Sequence, residues 1–313
     1  MLIINLLGFI ISCILLVKSS EFAVKSISSI ARILKIGQFL ISFVIVAFVT
    51  SLPETSVAIV SAINKMPEIG YGALIGSNIA DLSLILGMLA LVGRKINLKY
   101  RHILHESLFL VLILMPMIVA YDGVISNKDG IILITACILF LLHILKKRNT
   151  LREIIHHYKE KTLLQNIFLF ILSMLVLFAS ANYIIKFTKA LSIDLSIPTI
   201  LIALVLIAIG TCLPELFFAL SSIRLHHANL GLGDIIGTVI IDATLMLGIT
   251  ALIHPIILDP ITVLVTGAFT ILITAMVLSI IEYKKALTQR EGFLFIFFYI
   301  IFVFVELSIR GIS

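Results

Sequence analysis

The chain has 313 residues, of which 61% are hydrophobic and 13% charged, and its formal net charge is +6. Soluble domains are nearer half apolar and a quarter charged, so the composition excludes an ordinary soluble protein. Long apolar runs recur along the chain and indicate a helical, polytopic membrane protein. No segment matches a nucleic-acid-binding module, and we interpret the positive charge as orientation in the bilayer and contact with anionic lipid.

In chain order, the apolar runs are separated by nine polar or turn-rich breaks and predict ten spans. The first run, Leu2 to Val17, has no basic flank before it and no small-residue cleavage site, so we expect a retained helix rather than a signal peptide. The breaks fall near 32–37, 64–71, 94–102, 121–129, 146–162, 189–198, 224–233, 254–260 and 282–291.

The basic residues predict the sidedness. With an external N-terminus, the inner loops hold sixteen Lys and Arg residues and the outer segments five, including Arg310. The positive-inside rule therefore predicts a multi-pass cell-membrane protein with both termini extracellular and the 146–162 connector cytoplasmic. The connector is too short for a separate sensing domain, and no protein partner is inferred.

The two halves of the chain repeat each other without a gap. A shift of 161 residues places Thr50 on Thr211 and carries Leu-Pro-Glu onto Leu-Pro-Glu. Further along, residues 70–87 match residues 231–248 at nine of eighteen positions. Each half holds five spans, an odd number, so the two copies have opposite orientations. We predict two inverted five-helix repeats, 1–145 and 163–313, around a midplane site of the kind found in secondary transporters.

The residues kept in register share cation chemistry. Pro53 and Pro214 each remove a helix hydrogen bond and free a carbonyl, and Glu54 and Glu215 follow directly. The other candidates are hydroxyls and acids one helical turn apart: Thr50, Thr211, Ser77, Asp81, Thr238 and Asp242. Oxygen-only ligands suit hard cations such as Ca²⁺ or Na⁺.

Burying the four acids is costly, which favours a function over helix packing. Insertion scales give roughly 3 kcal/mol per mid-membrane carboxylate, or on the order of 10 kcal/mol in total. For Ser83 and Thr244, helix packing is an equally good explanation. The three cysteines lie in apolar segments and are interpreted as packing groups.

At these motifs the chain resembles the Na⁺/Ca²⁺ exchangers of the cation/Ca²⁺ exchanger superfamily, of the prokaryotic type with two inverted α-repeats. The resemblance implies an antiporter without a cofactor, whose substrates are Ca²⁺ and Na⁺. Glu54 and Glu215 would be central ligands for both ions, and the first and sixth spans would slide to switch access. The other implied ligands are Thr50, Thr211 and the backbone of Ala47 and Ala208, with Ser51, Ser77 and Thr238 at flanking Na⁺ positions and Asp81 and Asp242 in the middle.

Three residues depart from the family pattern. Val49 replaces a glycine, Cys212 replaces a serine and so loses a hard ligand, and Asp81 stands where many members have asparagine. The departures keep a second mode of coupling open, in which H⁺ or K⁺ takes part. The T-S-L-P-E and T-C-L-P-E motifs favour Na⁺ over the proton-coupled branch, which carries a G-N-x-x-E pattern.

The sequence fits two other classes of protein less well. Tyr121-Asp122 and the Gly231–Asp234 segment superficially match the Y-D and G-x-G-D signatures of intramembrane aspartyl proteases. However, Asp122 lies in a turn-rich connector, and we expect Asp234 at the mouth of a span. A channel is disfavoured because paired buried acids bind cations too tightly for fast conduction. The prediction is therefore a transporter, not an enzyme.

Overall fold

The structure is a computed structural model that describes residues 2–33, 46–97, 107–146, 163–224, 228–284 and 286–310. The described residues are overwhelmingly helical, as the composition predicts. Most of the predicted 146–162 connector, and parts of the second and fourth predicted spans, lie outside these ranges.

The first repeat contains long helices, broken helices and two very short strands. Its elements are α1 (Leu2–Ile33), α2 (Val46–Thr50), α3 (Leu52–Ile63), α4 (Pro67–Ala80), a π-helical turn π1 (Asp81–Ile85), α5 (Leu86–Gly93), β1 (Lys95–Asn97), α6 (Ser107–Val119), β2 (Val124–Ile125) and α7 (Asn127–Lys146).

The second repeat follows the same order. Its elements are α8 (Leu163–Leu195), α9 (Thr199–Ile202), π2 (Ala203–Ile207), α10 (Ala208–Thr211), α11 (Leu213–Arg224), α12 (Ala228–Ile241), π3 (Asp242–Met246), α13 (Leu247–Ile253), β3 (Ile256–Ile257), α14 (Pro260–Lys284), β4 (Ala286–Thr288) and α15 (Gln289–Arg310). Three pairs of elements begin 161 residues apart: α3 and α11, α4 and α12, and π1 and π3. The sequence repeat is therefore also a structural repeat.

Seven helices in the described part of the chain are long and apolar enough to cross a membrane. Five of them belong to the second repeat, which matches the five spans predicted there. The seven are Leu2–Ala23, Pro67–Gly93, Leu163–Leu195, Thr199–Arg224, Gly231–Ile253, Pro260–Lys284 and Gln289–Arg310. The ten-span count for the whole chain and the external position of the termini stay predictions.

The strands connect the repeats in a crossed pattern. Strand β1 pairs antiparallel with β4, with Lys95 opposite Thr288, and β2 pairs with β3, with Val124 opposite Ile257. Each two-stranded ladder thus joins one strand from each repeat. By the repeat, β1 corresponds to β3 and β2 to β4, so each strand pairs with the counterpart of the other strand and a pseudo-twofold axis would exchange the two ladders.

Small residues let the helices within each repeat approach closely. A methyl group on Gly70 would lie 2.6 Å from Ser61 Oγ and 2.9 Å from the Ala58 Cα. The equivalent methyl group on Gly231 would lie 2.6 Å from the hydroxyl of Ser222. Because only glycine fits these contacts, α4 packs against α3 and α12 packs against α11 in the same way.

Helices α1 and α8 form the most extensive helix pair and have a hydrophobic core partly of their own. Leu16 and Ala181 are fully buried in this cluster, which is separate from the larger core formed by the other helices. The remaining faces of both helices carry many exposed leucine and isoleucine side chains, as lipid contact requires. Helix α8 extends to Leu195, so the break predicted from residue 189 begins too early.

A buried ionic cluster fixes the end of α15. Arg310 Nε lies 2.6 Å from Glu306 Oε2, and its Nη1 donates to Thr262 Oγ1 at 2.7 Å and lies 3.5 Å from Asp259 Oδ2. Partial burial raises the pKa of Asp259, but hydrogen bonds from Thr262 and the charge of Arg310 outweigh it and hold that pKa below its usual value. Arg310, counted above as an outer basic residue, is therefore an internal structural cation.

Candidate cation-binding site

Both Leu-Pro-Glu motifs interrupt a helix. Helix α2 ends at Thr50 and α3 begins at Leu52, and Ser51 between them has φ −77° and ψ 5°. In the second repeat α10 ends at Thr211 and α11 begins at Leu213, with Cys212 at φ −73° and ψ −1°. In each repeat the proline that removes a helix hydrogen bond stands two residues after the break, at Pro53 and Pro214. The interruptions therefore lie where the prolines predict them.

The two glutamates after these prolines are completely enclosed. Glu54 is 1% exposed and Glu215 is 0% exposed. Among the described residues, none of their four carboxylate oxygens has a hydrogen-bond partner. Burying a carboxylate without a partner is costly, so these oxygens are available to a cation.

Two aspartates occupy equivalent positions at the start of π-helical turns. Asp81 begins π1 and Asp242 begins π3, and both side chains are 0% exposed. In each turn the backbone bond spans five residues, from Leu86 N to Asp81 O and from Leu247 N to Asp242 O. Such turns often occur at functional sites. Sequence reasoning missed them, because no residue type in these segments requires a π turn.

The four acids interact electrostatically across the interface between the repeats. The charge of Glu54 acts on Asp81, Glu215 and Asp242. Ser77 Oγ of the first repeat lies 3.5 Å from Asp242 Oδ2 of the second. The four predicted carboxylates thus share one buried region.

The predicted neutral ligands lie around these acids, mostly bonded to nearby carbonyls. Thr211 Oγ1 donates to the carbonyl of Ile207 at 3.0 Å, and Ser51 Oγ to that of Phe48 at 3.2 Å. The hydroxyl of Ser77 donates to the carbonyl of Leu74 at 2.8 Å.

The remaining predicted ligands lie in the interrupted helices. Ala208 is buried where α10 begins, and Ala47 lies in α2. Thr50 and Thr238 meet across the repeats, with 3.3 Å between their hydroxyl oxygens.

The expectation for Asp234 is wrong. Its side chain is 3% exposed and accepts a hydrogen bond from Thr50 Oγ1 at 3.0 Å, so it lies inside the protein beside the site rather than at the mouth of a span. Its repeat counterpart is Ala73, so the repeat gave no signal for a fifth acid. The Gly-x-Gly-Asp pattern singled out the residue but suggested a different chemistry. Asp122, the other protease candidate, lies in an exposed turn and accepts a hydrogen bond from Val124 N at 3.1 Å.

Cys212 places sulfur among the acids. The thiol donates to the carbonyl of Ser77 at 3.7 Å, and the charges of Asp81, Glu54 and Glu215 act on it. A thiol at this position is a poor ligand for a hard cation. The neighbouring Tyr299 hydroxyl is also buried, so α15 closes this side of the site.

Within the part of the chain that the structure describes, no three His, Cys, Asp or Glu side chains are close enough to bind one metal ion together. The acids share a buried region but do not form a closed ligand cage in this conformation. Binding one ion through several carboxylates would require them to turn toward one another. Hydroxyl and backbone oxygens would complete the coordination between them.

Two matched repeats that bring interrupted helices and unpaired buried acids together define a secondary transporter. The particular family follows from comparison with known sequences. The chain belongs to the sodium/calcium exchanger protein family, whose sequence profile matches residues 4–146 and 165–307. This is a family of exchangers rather than of enzymes.

Known relatives extend over nearly the whole chain. The sodium/calcium exchanger MaX1 of Methanosarcina acetivorans is 26% identical over 347 residues, covering 97% of this chain and 99% of MaX1. A structure of the sodium-calcium exchanger NCX_Mj soaked with Na⁺ and Sr²⁺ is 25% identical and superposes with a TM-score of 0.66, covering 96% of this chain and 98% of that one.

The H⁺/Ca²⁺ exchanger CAX has the same fold. Its crystal structure superposes with a TM-score of 0.80 at 16% identity, covering 97% of this chain and 85% of that one. At this identity the likeness concerns the fold alone. Exchangers named for Na⁺ and for H⁺ therefore share this architecture.

Proposed function

We propose that the protein is an antiporter that exchanges Ca²⁺ for Na⁺ across the cell membrane by alternating access. The observation that carries the proposal is the set of four buried carboxylates at matched positions of the two repeats: Glu54, Glu215, Asp81 and Asp242. Within the described residues none of the four carboxylates forms an ion pair, and only Asp242 has a hydrogen-bonding neighbour, the hydroxyl of Ser77. Cations are the partners that this chemistry requires.

The mechanism rests on electrostatic competition. Ca²⁺ or Na⁺ ions neutralise the same acids, with Glu54 and Glu215 as central ligands and the hydroxyls and carbonyls of α2 and α10 as further ligands. A bare cluster of four acids cannot be moved past an apolar barrier cheaply, because each unneutralised charge costs several kcal/mol at membrane depth, roughly 3 kcal/mol on insertion scales. Access therefore changes sides only when the site is loaded.

Helices α1 and α8 are the proposed moving element. They pack most extensively on each other and share a core cluster, with residues such as Leu16 and Ala181, that is distinct from the main core. The cluster borders the interrupted helices through Leu52 and Ile207. A pair that is held together internally can shift over the site as one unit, which is the shear type of motion.

The orientation follows from the basic residues. We place both termini outside and the 146–162 connector in the cytoplasm, because the inner loops then hold most of the Lys and Arg residues. No cofactor is required, since ion gradients alone supply the driving force.

Proton coupling is the second candidate, and two residues favour it. Asp81 adds an acid where many family members have an amide, and Cys212 removes a hydroxyl from the opposite break. The first change adds a group that can carry a proton, and the second removes a hard ligand that suits Na⁺. H⁺/Ca²⁺ exchange, or exchange assisted by K⁺, would use the same carboxylates.

The deciding experiment is ⁴⁵Ca²⁺ uptake into proteoliposomes preloaded with Na⁺, at equal pH on both sides and with the voltage clamped by K⁺ and valinomycin. Uptake driven by the outward Na⁺ gradient and unaffected by a protonophore establishes Na⁺/Ca²⁺ exchange. Uptake that ignores Na⁺ and follows an imposed pH gradient establishes the proton-coupled alternative. The absence of Ca²⁺ uptake under either gradient would refute both.

A further inference from the structure

A fifth carboxylate stands beside the four acids, on one flank of the site. Asp234 Oδ1 lies 3.0 Å from Thr50 Oγ1, which in turn lies 3.3 Å from Thr238 Oγ1 and 3.2 Å from the carbonyl oxygen of Ala47. Thr238 Oγ1 is 3.5 Å from the same carbonyl. Three oxygens, one of them anionic, therefore lie within 3.3 Å of the Thr50 hydroxyl oxygen, where α2 of one repeat meets α12 of the other.

The second oxygen of Asp234 remains available. The side chain is 3% exposed, and within the described residues Asp234 Oδ2 has no hydrogen-bond partner. A buried anionic oxygen without a donor carries a desolvation cost that a bound cation would offset. The atom therefore points to a ligand rather than to a purely structural hydrogen bond.

The opposite flank lacks this carboxylate. The repeat counterpart of Asp234 is Ala73, which is 0% exposed and belongs to the apolar cluster around α1 and α8. The counterpart of Thr50 is Thr211, whose hydroxyl donates to carbonyls of its own helix, Ile207 at 3.0 Å and Ala208 at 3.2 Å. The two flanks are thus related by the repeat but differ in charge.

The spacing and charge of the oxygens select the kind of ion. An ion held by oxygens at about 2.4 Å in octahedral geometry has neighbouring ligands about 3.4 Å apart, which is close to the separations on this flank. Na⁺ and Ca²⁺ are both of this size, whereas Mg²⁺ requires a tighter cage. One carboxylate with three neutral oxygens balances a single positive charge, so the flank fits a monovalent ion better than Ca²⁺.

The resemblance implies Thr50, Thr238 and the backbone of Ala47 as ligands, with Thr238 at a flanking Na⁺ position; we infer that Asp234 adds a negative charge to this position. The inference rests on the proposed exchange and names the residue that determines Na⁺ affinity in this chain. Asp234 supplies a counter-charge in addition to the central carboxylates that Na⁺ and Ca²⁺ share, so its loss should weaken Na⁺ binding more than Ca²⁺ binding. The charge of Asp234 also acts on Asp81 and Glu215, but more weakly than the charge of Glu54 does.

The test measures Na⁺ and Ca²⁺ binding separately in purified, full-length protein. Asp234→Asn keeps an acceptor oxygen for Thr50 and removes only the charge. The Ca²⁺ dissociation constant is measured with ⁴⁵Ca²⁺ in Na⁺-free buffer, and Na⁺ is then titrated to displace the bound ⁴⁵Ca²⁺. We expect the half-displacing Na⁺ concentration to rise about tenfold or more, while the Ca²⁺ dissociation constant changes less than about threefold.

Matched variants separate a ligand from a structural role. The control is Asp129→Asn at the start of α7, outside the candidate site. Asp129 Oδ2 also accepts a hydrogen bond from a hydroxyl, Ser126 Oγ at 2.7 Å. This substitution should leave both constants unchanged. Thr238→Val removes a neutral ligand of the same flank and should also raise the half-displacing Na⁺ concentration, as Asp234→Asn does. If Asp234→Asn does not purify as a single species, Thr238→Val and the charge-conserving Asp234→Glu provide the decision.

Three results would overturn the inference: an unchanged Na⁺ titration in Asp234→Asn, an equal loss of Na⁺ and Ca²⁺ affinity, or a change confined to the pH dependence of Ca²⁺ binding. A failure of the proposed function looks different, because Na⁺ would then not displace ⁴⁵Ca²⁺ from the wild-type protein. The same titration therefore distinguishes the two failures.

Discussion

Gly87 and Gly292 hold two helices of opposite repeats in backbone contact. A methyl group on Gly87 would lie 2.9 Å from the carbonyl oxygen of Gly292, and one on Gly292 would lie 2.8 Å from that of Gly87. Gly130 and Gly248 show the same relationship on the other side, at 2.7 and 2.8 Å. Gly87 and Gly248 each follow a π turn that begins with a site aspartate. These contacts therefore set the position of the acids as well as the packing of the repeats.

This contact predicts that Gly292→Ala lowers the thermal stability of the detergent-solubilised protein. Overpacking costs about 1–3 kcal/mol, and the gain of about 1 kcal/mol in helix propensity offsets only part of it. Gly267→Ala is the matched control, because its methyl group would meet nothing nearer than Met117 Sδ at 3.5 Å. A melting temperature of Gly292→Ala equal to or above that of Gly267→Ala would contradict the close contact.

The charge on Glu54 is expected to be indispensable for transport. Glu54→Gln should reduce Na⁺-driven Ca²⁺ uptake at least about a hundredfold, equivalent to about 2.8 kcal/mol of lost ion binding, and Glu215→Gln should behave alike. Because neither carboxylate has a hydrogen-bond partner among the described residues, both variants should remain folded by size-exclusion chromatography. Glu282→Gln, an exposed acid near the end of α14, is the control that should retain activity. Full activity in Glu54→Gln would disprove the assignment of the site.

Cys212 is expected to limit Na⁺ affinity. Cys212→Ser restores a hard hydroxyl ligand beside Asp81, so the Na⁺ concentration giving half-maximal Ca²⁺ uptake should fall severalfold, by about 1 kcal/mol of binding energy. Cys137→Ser makes the same chemical change at a buried position in α7, where the thiol neighbours Thr244 and Leu245 rather than the four acids, and should leave the Na⁺ dependence unchanged. If Cys212→Ser changes the response to pH but not to Na⁺, proton coupling is favoured instead.

The ion pair between Arg310 and Glu306 is expected to stabilise the protein. Glu306 is 0% exposed and Arg310 7% exposed, so Arg310→Leu leaves a buried carboxylate without its cation and should cost about 3–5 kcal/mol. The double variant Glu306→Leu with Arg310→Leu removes both charges and should recover much of the loss, as measured by thermal unfolding in detergent. A double variant less stable than Arg310→Leu alone would show that the pair is not the cause.

The sequence by itself determined the architecture and most of the candidate ligands. A repeat of 161 residues is visible without coordinates because Pro53, Glu54 and Asp81 recur in register as Pro214, Glu215 and Asp242. The interrupted helices are also a local property, since a proline removes a backbone donor wherever the helix is placed. Composition and span length then indicate a membrane protein, because helices in lipid must satisfy their own backbone.

Only the tertiary structure decided which residues meet across the repeats. The position of Asp234 beside Thr50 depends on how α12 packs against α2. Its repeat counterpart is Ala73, so the repeat did not predict an acid there. The burial of Arg310 likewise depends on the fold, which brings Asp259 and Thr262 to its guanidinium group. The π turns at Asp81 and Asp242 and the crossed strand ladders are likewise absent from any local pattern. Such features arise from contacts between segments far apart in the chain, and residue order alone does not specify those contacts.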